Sequence, residues 1–106
     1  MAYRAIGRRI DRIDVKVPEV ATVGKVYSEM VRDFEMIMTR YRIEPTYKMV
    51  YRAFILRIIL LALRNRTDEI KRTYEMAIRA GLRKDVIDEL MNLARRHLSK
   101  YIKVTF

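Results

Sequence analysis

The chain of 106 residues contains no cysteine, no tryptophan and a single histidine, His97. Without cysteine there are no disulfide bonds, thiolate metal sites or cysteine nucleophiles, and one histidine cannot form a histidine-based metal site within one chain. Glycine and proline are also scarce, with three and two residues respectively. Because these residues mark turns, their scarcity predicts long helices with short connections. We therefore expect no metal and no cofactor.

Long apolar runs are missing as well. The longest run, from Ala53 to Leu63, is interrupted by Arg57 and is far shorter than the roughly 20 residues that span a bilayer. The N-terminus has arginines throughout and lacks the apolar region of a signal peptide, so we predict no targeting segment. There is no glycine-rich phosphate loop, and no serine lies in a nucleophile motif. These absences predict a protein that is not an enzyme and has no small-molecule substrate.

What the sequence does contain is positive charge. It has 23 Lys+Arg residues against 13 Asp+Glu residues, which gives a formal net charge of +10, and arginine outnumbers lysine by 16 to 7. A guanidinium group binds phosphate bidentately, so this composition indicates a polyanionic partner, first nucleic acid and second an anionic membrane surface. The absence of glutamine, the rarity of asparagine and the abundant charge indicate a heat-adapted source.

Apolar residues recur every three or four positions over most of the chain, which predicts amphipathic helices. The predicted helices run from about Glu19 to Tyr41, from Pro45 to Leu63, from Thr67 to a turn at Gly81, and from Lys84 to Tyr101. The length of the chain fits one domain. We therefore predict an all-α fold in which residues 19–106 form a compact bundle of about four helices.

Residues 1–18 are predicted to form a basic N-terminal helical arm and linker. In the arm, arginines spaced four apart form one helical stripe, and isoleucines fall on the opposite side. These residues are Arg4, Arg8 and Arg12 on one side, and Ile6, Ile10 and Ile13 on the other. Val15, Lys16 and Val17 then favour an extended chain, and Pro18 prevents the arm helix from continuing.

The positive charge is unevenly distributed along the chain. The net charge is +3 in residues 1–17, zero in 18–42, +4 in 43–66, zero in 67–80 and +3 in 81–106. A protein that lines a phosphate surface needs such segregation, whereas a protein that is basic only for solubility does not. The arginine stripe of the arm and the pair Lys48 and Arg52 are therefore candidate phosphate contacts.

An alternative interpretation is a helix-turn-helix DNA-binding transcriptional regulator. The spacing of this motif is met by Ala77, Gly81, Ile87 and Leu90. The outward residues of its second helix would be Arg83, Lys84, Asp85, Asp88 and Glu89. Three carboxylates facing DNA are unfavourable for a recognition helix. A cellular archaeal chromatin protein, which binds DNA without sequence preference, is a further alternative.

The third predicted segment is apolar on nearly every side from Phe54 onward. Such a helix must be covered all round, and a domain of this size has few places to cover it. The expected cover is a neighbouring subunit, so we predict an oligomer. The predicted interface residues are Phe54, Ile55, Leu56, Ile59, Leu60 and Leu63.

The stretch from Met38 to Leu63 carries a family resemblance. It contains the pattern Tyr41-x-Ile43, then Lys48-x-Val50-Tyr51-x-x-Phe54, then Arg57-Ile58. This pattern resembles the central segment of the major capsid proteins of rod-shaped and filamentous archaeal viruses, namely the rudiviruses, lipothrixviruses and tristromaviruses. The family has a Gly-Pro pair in the turn after the isoleucine, where this chain has Glu44, Pro45 and Thr46.

The resemblance implies a capsid subunit that dimerises and polymerises around double-stranded DNA in a helical virion, and that holds the DNA in the A form. It implies localisation in the virion, after assembly in the host cytoplasm. The implied partners are the duplex, a second copy or a paralogous capsid subunit, and envelope or outer-shell proteins. The implied phosphate-binding residues are Arg4, Arg8, Arg9, Arg12 and Lys16 in the arm, and Lys48, Arg52 and Arg57 beyond it. Arg57 is alternatively a partner in a salt bridge between subunits.

Overall fold

The computed structural model describes residues 17–106, and these residues form four helices and no strand. The helices are α1 (Val17–Arg40), α2 (Pro45–Leu63), α3 (Thr67–Arg79) and α4 (Lys84–Leu98). The predicted all-α fold is therefore confirmed for the described part of the chain. The predicted arm, which includes Arg4, Arg8, Arg9, Arg12 and Lys16, lies outside the described residues.

The starts of the first two helices follow the prolines. Helix α1 begins at Val17, so Val17 and Pro18, which were predicted to belong to the arm and linker, are helical. Pro18 then lies in the first turn of α1, where its missing N–H has no helical partner to lose. Pro45 occupies the equivalent place in α2. Proline thus starts both helices without interrupting either.

Three helices end in the same way, with one residue in the left-handed region. Arg42 and Asn65 have φ of 56°, and Gly81 has φ of 98°. In each case the next residue donates its backbone N–H to a carbonyl five residues earlier, as Leu82 does to Ala77 at 3.0 Å. This is the Schellman motif, which satisfies carbonyls that the helix end leaves free. The prediction that Gly81 ends α3 is confirmed, and the equivalent roles of Arg42 and Asn65 were not predicted.

Helix α2 lies at the centre of the bundle and packs against α1, α3 and α4. The core contains Ile55, Ile58 and Ile59 from α2, which are fully buried. Phe34 from α1 and Leu90 from α4 are also fully buried. Burial of a side chain of this size contributes roughly 1.5–3 kcal/mol, so these contacts supply most of the force that holds the helices together.

Because α2 lies at the centre of the bundle, the other three helices of the same chain cover most of its apolar surface. The burial of α2 therefore does not depend on a neighbouring subunit. Three of the predicted interface residues, Phe54, Ile55 and Ile59, are buried in this core and expose almost no surface to a second copy. The prediction that these three residues lie in a subunit interface is therefore wrong. The oligomer itself stays a prediction.

The helices alternate in direction, so the bundle has two distinct ends. At one end, Arg40 near the end of α1 contacts Glu89 near the start of α4. At the other, Tyr101 after α4 donates a hydrogen bond to Glu29 near the middle of α1. Residues 101–106 cross this second end, and Thr105 lies 3.5 Å from Thr67 at the start of α3.

Candidate nucleic-acid interface

The structure separates the three predicted phosphate contacts of α2. Lys48 is half-buried and forms an ion pair with Glu35 at 2.9 Å. Arg52 and Arg57 are exposed. Five residues turn a helix by about 140° beyond a full turn, so Arg57 points away from the side that carries Lys48 and Arg52. These three cations therefore do not form one row along the helix.

Arg52 lies beside α1 rather than free in solvent. It is within interaction range of the Tyr27 hydroxyl, and it opposes the burial that raises the pKa of this tyrosine. Arg57 has no ion pair among the described residues, and its side chain is exposed. Of the three predicted cations on α2, Arg57 is the one most available to an external anion.

Most ion pairs of the described residues lie at one end of the bundle, formed by the ends of α1 and α3 and the starts of α2 and α4. We call it the paired end. Its ion pairs are Arg40–Glu89, Lys48–Glu35, Arg79–Glu75, Arg83–Asp85 and Lys84–Asp88, with distances between 2.8 and 3.6 Å. Their side chains are largely accessible to solvent, so these ion pairs contribute little to stability. Their consequence is local neutralisation of the charge.

The carboxylates of the paired end respond to these cations. Hydrogen bonds from Lys84 and then Tyr74 lower the pKa of Asp88 below its ordinary value of 3.8. A hydrogen bond from Arg83 lowers the pKa of Asp85 in the same way. Both groups are therefore ionised at neutral pH, and each cancels a neighbouring positive charge.

The opposite end of the bundle keeps its positive charge, and we call it the cationic end. It is defined by five exposed cations that form no ion pair with the described residues. They are Lys71 and Arg72 in the first turns of α3, Arg96 near the end of α4, and Lys100 and Lys103 after it. Arg66 is paired there with Glu69 at 2.9 Å. The excess charge of residues 81–106 is thus concentrated on the side away from the paired end.

The predicted N-terminal arm precedes the end of α1 that lies at the cationic end. Helix α1 begins there, since Lys25 in its third turn lies 5.8 Å from the ring of Tyr101. Residues 1–16, which carry the five predicted arm cations, are covalently joined at that point. The cations of α3, α4 and the following segment were missed as candidates in the sequence. The only signal for them is the segment charge, which does not distinguish paired from unpaired residues.

The helix-turn-helix spacing is matched by α3 and α4, but the second helix is not a cationic surface. Ala77, Ile87 and Leu90 are buried as the motif requires. The outward residues at the start of α4 form ion pairs or hydrogen bonds with each other or with residues at the end of α1 and just after it. Arg83 is bonded to Asp85, Lys84 to Asp88, and Glu89 to Arg40 and Tyr41. A surface neutralised in this way gives DNA phosphates little attraction.

An open groove separates α3 from α4. It has a volume of about 580 Å³, and its lining includes Ile70, Tyr74, Met91 and Phe106. The Tyr74 hydroxyl donates to Asp88 across it at 2.6 Å, and Arg95 donates to the Phe106 carbonyl at 2.7 Å. Sequence periodicity did not predict this groove, because it identifies the apolar face of each helix and not how closely two helices approach.

Apolar side chains are exposed along the outer side of α2. Met49 is 66% and Val50 44% exposed, Ala53 is exposed, and Leu56 and Leu60 are half-buried. Of the six predicted interface residues, Leu56, Leu60 and Leu63 are thus the three that retain contactable surface. They lie toward the cationic end, whereas Met49 and Val50 lie toward the paired end.

The described residues contain no group of three or more His, Cys, Asp or Glu side chains placed to hold a metal ion. His97 is half-buried, and its Nδ1 has no hydrogen-bond partner among residues 17–106. Burial lowers the pKa of His97, and Lys100 lowers it further. Within residues 17–106, no helix is long and apolar enough to cross a bilayer.

In a comparison with known proteins, no protein-family model, curated protein or solved structure matches the chain.

Proposed function

We propose that this chain is a structural DNA-packaging protein, a major capsid subunit that binds double-stranded DNA without sequence preference and polymerises along it in a helical virion. The observation that carries the proposal is the division of charge between the two ends of the bundle. Unpaired cations collect at the end where the basic arm is attached, while carboxylates neutralise the other end. The resemblance of residues 38–63 to archaeal viral capsid proteins supports the same function.

The chemistry of the cations favours contact with the DNA backbone. Lysine and arginine side chains on helix ends and in an arm bind phosphates, which position a protein without reading the base sequence. Arg57, Arg72 and Arg96 offer guanidinium groups that bind phosphate bidentately. Enclosure of the duplex by many such subunits would exclude water and shield phosphate repulsion, which favours the A form.

Assembly in many copies requires contacts between subunits. The exposed side chains of Met49 and Val50, on the outer side of α2 near the paired end, offer apolar surface for them. The paired end carries little net charge, so subunits can approach there without strong repulsion. In this arrangement, the cationic ends face the DNA and the paired ends face neighbouring subunits. The neighbour is a second copy or a paralogous subunit.

Mixing the purified protein with random-sequence duplex DNA tests the proposal directly. We expect regular filaments in electron micrographs and an affinity that falls steeply with salt concentration. Small complexes that prefer one sequence by about a thousandfold or more would instead identify a helix-turn-helix regulator. Soluble complexes without sequence preference and without filaments would identify a chromatin protein.

Two charge-matched variants test which end binds DNA. The triple variant Arg72→Gln, Arg96→Gln, Lys103→Gln removes three cations from the cationic end. The control, Lys48→Gln, Arg79→Gln, Lys84→Gln, removes three from the paired end and changes the net charge equally. We expect the first to reduce the slope of log affinity against log salt by about 2–3, and the control to change it little. Equal losses in both would show that only the total charge matters.

A further inference from the structure

The groove between α3 and α4 is short and is bridged at its inner end. Its lining comes from matching positions of the two antiparallel helices, spaced by three and four residues. These positions are Thr67, Ile70, Lys71 and Tyr74 on α3, and Asp88, Met91, Asn92 and Arg95 on α4. The hydrogen bond from Tyr74 to Asp88 crosses the groove and marks its inner end. Thr67 and Arg95 therefore lie at the outer end, where Arg95 donates a hydrogen bond to the backbone of Phe106.

The floor of this groove is apolar, and polar side chains stand beside it. Ile70 and Met91 line the groove and are almost fully buried. The rings of Tyr74 and Phe106 are half-buried, and Lys71 is exposed. A groove of about 580 Å³ with an apolar floor and a few polar groups has the size and composition of sites that bind small molecules.

The charge around the groove favours an anionic group. Asp88, the carboxylate in the lining, already accepts a hydrogen bond from Tyr74 and forms an ion pair with Lys84 at 2.8 Å. Lys71 forms no ion pair with the described residues. Arg95 donates its hydrogen bonds to an amide oxygen and a backbone oxygen, and to no carboxylate side chain of residues 17–106. Two cations thus border apolar surface without an acidic side chain to neutralise them, and a carboxylate is their complement.

We propose that this groove binds a free, single-chain alkyl carboxylate of about eight carbons. From Thr67 to Tyr74 the groove follows two turns of α3, a length of about 10 Å. Three bonds of an extended chain span about 3.3–3.6 Å, or roughly 1.2 Å per bond, so a chain of about eight carbons matches this length. The carboxylate lies beside Lys71 and Arg95, and the chain runs over Ile70 toward the ring of Tyr74.

Two other occupants match the groove less well. A helix from a partner protein needs a longer track than two turns, and the bond between Tyr74 and Asp88 crosses its path. A second copy of the chain lacks an acidic apolar segment, because each of its segments is neutral or positively charged. A small carboxylate satisfies both the length and the charge.

Titration with octanoate tests the inference without DNA, so the result is independent of the proposed packaging function. Octanol and octylammonium carry the same chain with a neutral and a positive head group. In two-dimensional proton–carbon NMR spectra, octanoate below the concentration at which it aggregates should shift the methyl signals of Ile70 and Met91 until one molecule is bound per chain. Octanol and octylammonium should bind at least about tenfold more weakly, because neither pairs with the two cations.

A pair of variants with the same change in net charge locates the head group. Lys71→Gln should weaken octanoate binding about tenfold. Lys100→Gln removes an exposed lysine that does not line the groove and should leave binding unchanged. Equal losses in the two variants, equal binding of octanol and octanoate, or unshifted Ile70 and Met91 signals would each overturn the proposal. Shifts of these signals when the protein alone is concentrated would also overturn it, because a second copy would then cover the groove.

Discussion

The hydroxyl of Tyr51 accepts a hydrogen bond from the backbone N–H of Arg83 at 2.8 Å. This contact fastens the start of α4 to the central helix, because Tyr51 is buried in α2 and Arg83 directly precedes α4. The Tyr51→Phe variant keeps the ring and removes the acceptor. We expect it to lower the free energy of unfolding by about 1 kcal/mol, measured by urea denaturation. Tyr47→Phe, at a ring that is 57% exposed, should change it little. Equal effects of the two variants would contradict the role of Tyr51.

Adjacent residues of α2 should differ sharply in their contribution to stability. Ile58 is fully buried, so Ile58→Ala leaves a cavity and should cost about 2–5 kcal/mol in the free energy of unfolding. Arg57 is exposed, and Arg57→Ala should change stability by less than about 0.5 kcal/mol. Thermal denaturation followed by circular dichroism compares the two. A large loss in Arg57→Ala would show that this arginine makes a stabilising contact instead of only facing solvent.

The stability of the fold should depend on pH through His97. Burial holds the pKa of the folded imidazole below its ordinary value of 6.5, so the unfolded chain takes up a proton at higher pH than the folded one. The free energy of unfolding should therefore be highest above about pH 6.5 and fall as the pH decreases toward the folded pKa. His97→Gln should remove this dependence. Persistence of the same decline in the variant would assign it to other groups.

The Asp88 carboxyl should affect the stability of the fold at a more acidic pH than His97 does. Its folded pKa is lowered by hydrogen bonds from Lys84 and Tyr74, so its contribution to stability is present above its ordinary 3.8 and is lost as the pH falls through the lower folded pKa. In Asp88→Asn, the free energy of unfolding should therefore depend less on pH than in the parent protein, and only below about pH 4. An effect of this variant near pH 6 would contradict the assignment.

The arm should contribute to DNA affinity without supporting the bundle. We expect Arg4→Ala, Arg8→Ala and Arg12→Ala together to weaken binding to random duplex DNA. The slope of log affinity against log salt should decrease by about 3, since three phosphate contacts are lost. The helix content should stay the same, because the bundle of residues 17–106 does not include these positions. Unchanged affinity in fluorescence anisotropy titrations would exclude the arm as a phosphate-binding element.

Much of the fold was predictable because helical periodicity is a local property. The spacing of apolar residues located all four helices to within about two or three residues. Gly81 marked a helix end, since glycine has no Cβ penalty at positive φ. Asn65 serves the same purpose at φ of 56°, and asparagine is, after glycine, a common residue for it. Arg42 does so at the same φ although arginine has no local preference for this conformation.

The candidate site was less predictable, because charge pairing depends on residues that are distant in the chain. The total charge and its division among segments are properties of the sequence, and they indicated a polyanionic partner. Lys48 was a candidate phosphate contact, yet it is paired with Glu35 on another helix. Arg40 is paired with Glu89, which lies 49 residues away. The availability of a cation to phosphate is therefore set by which helices are neighbours.

The helical class, the helix limits and the strongly positive charge follow from residue type and local spacing, so they can be predicted from the sequence. Which apolar side of α2 is covered and which cations stay unpaired depend on how the helices pack. Phe54 and Leu56 lie in the same apolar run, and packing buries the first while leaving the second half-exposed. The physical reason is that burial and ion pairing are set by the neighbours that folding brings together, and periodicity along one helix does not identify those neighbours.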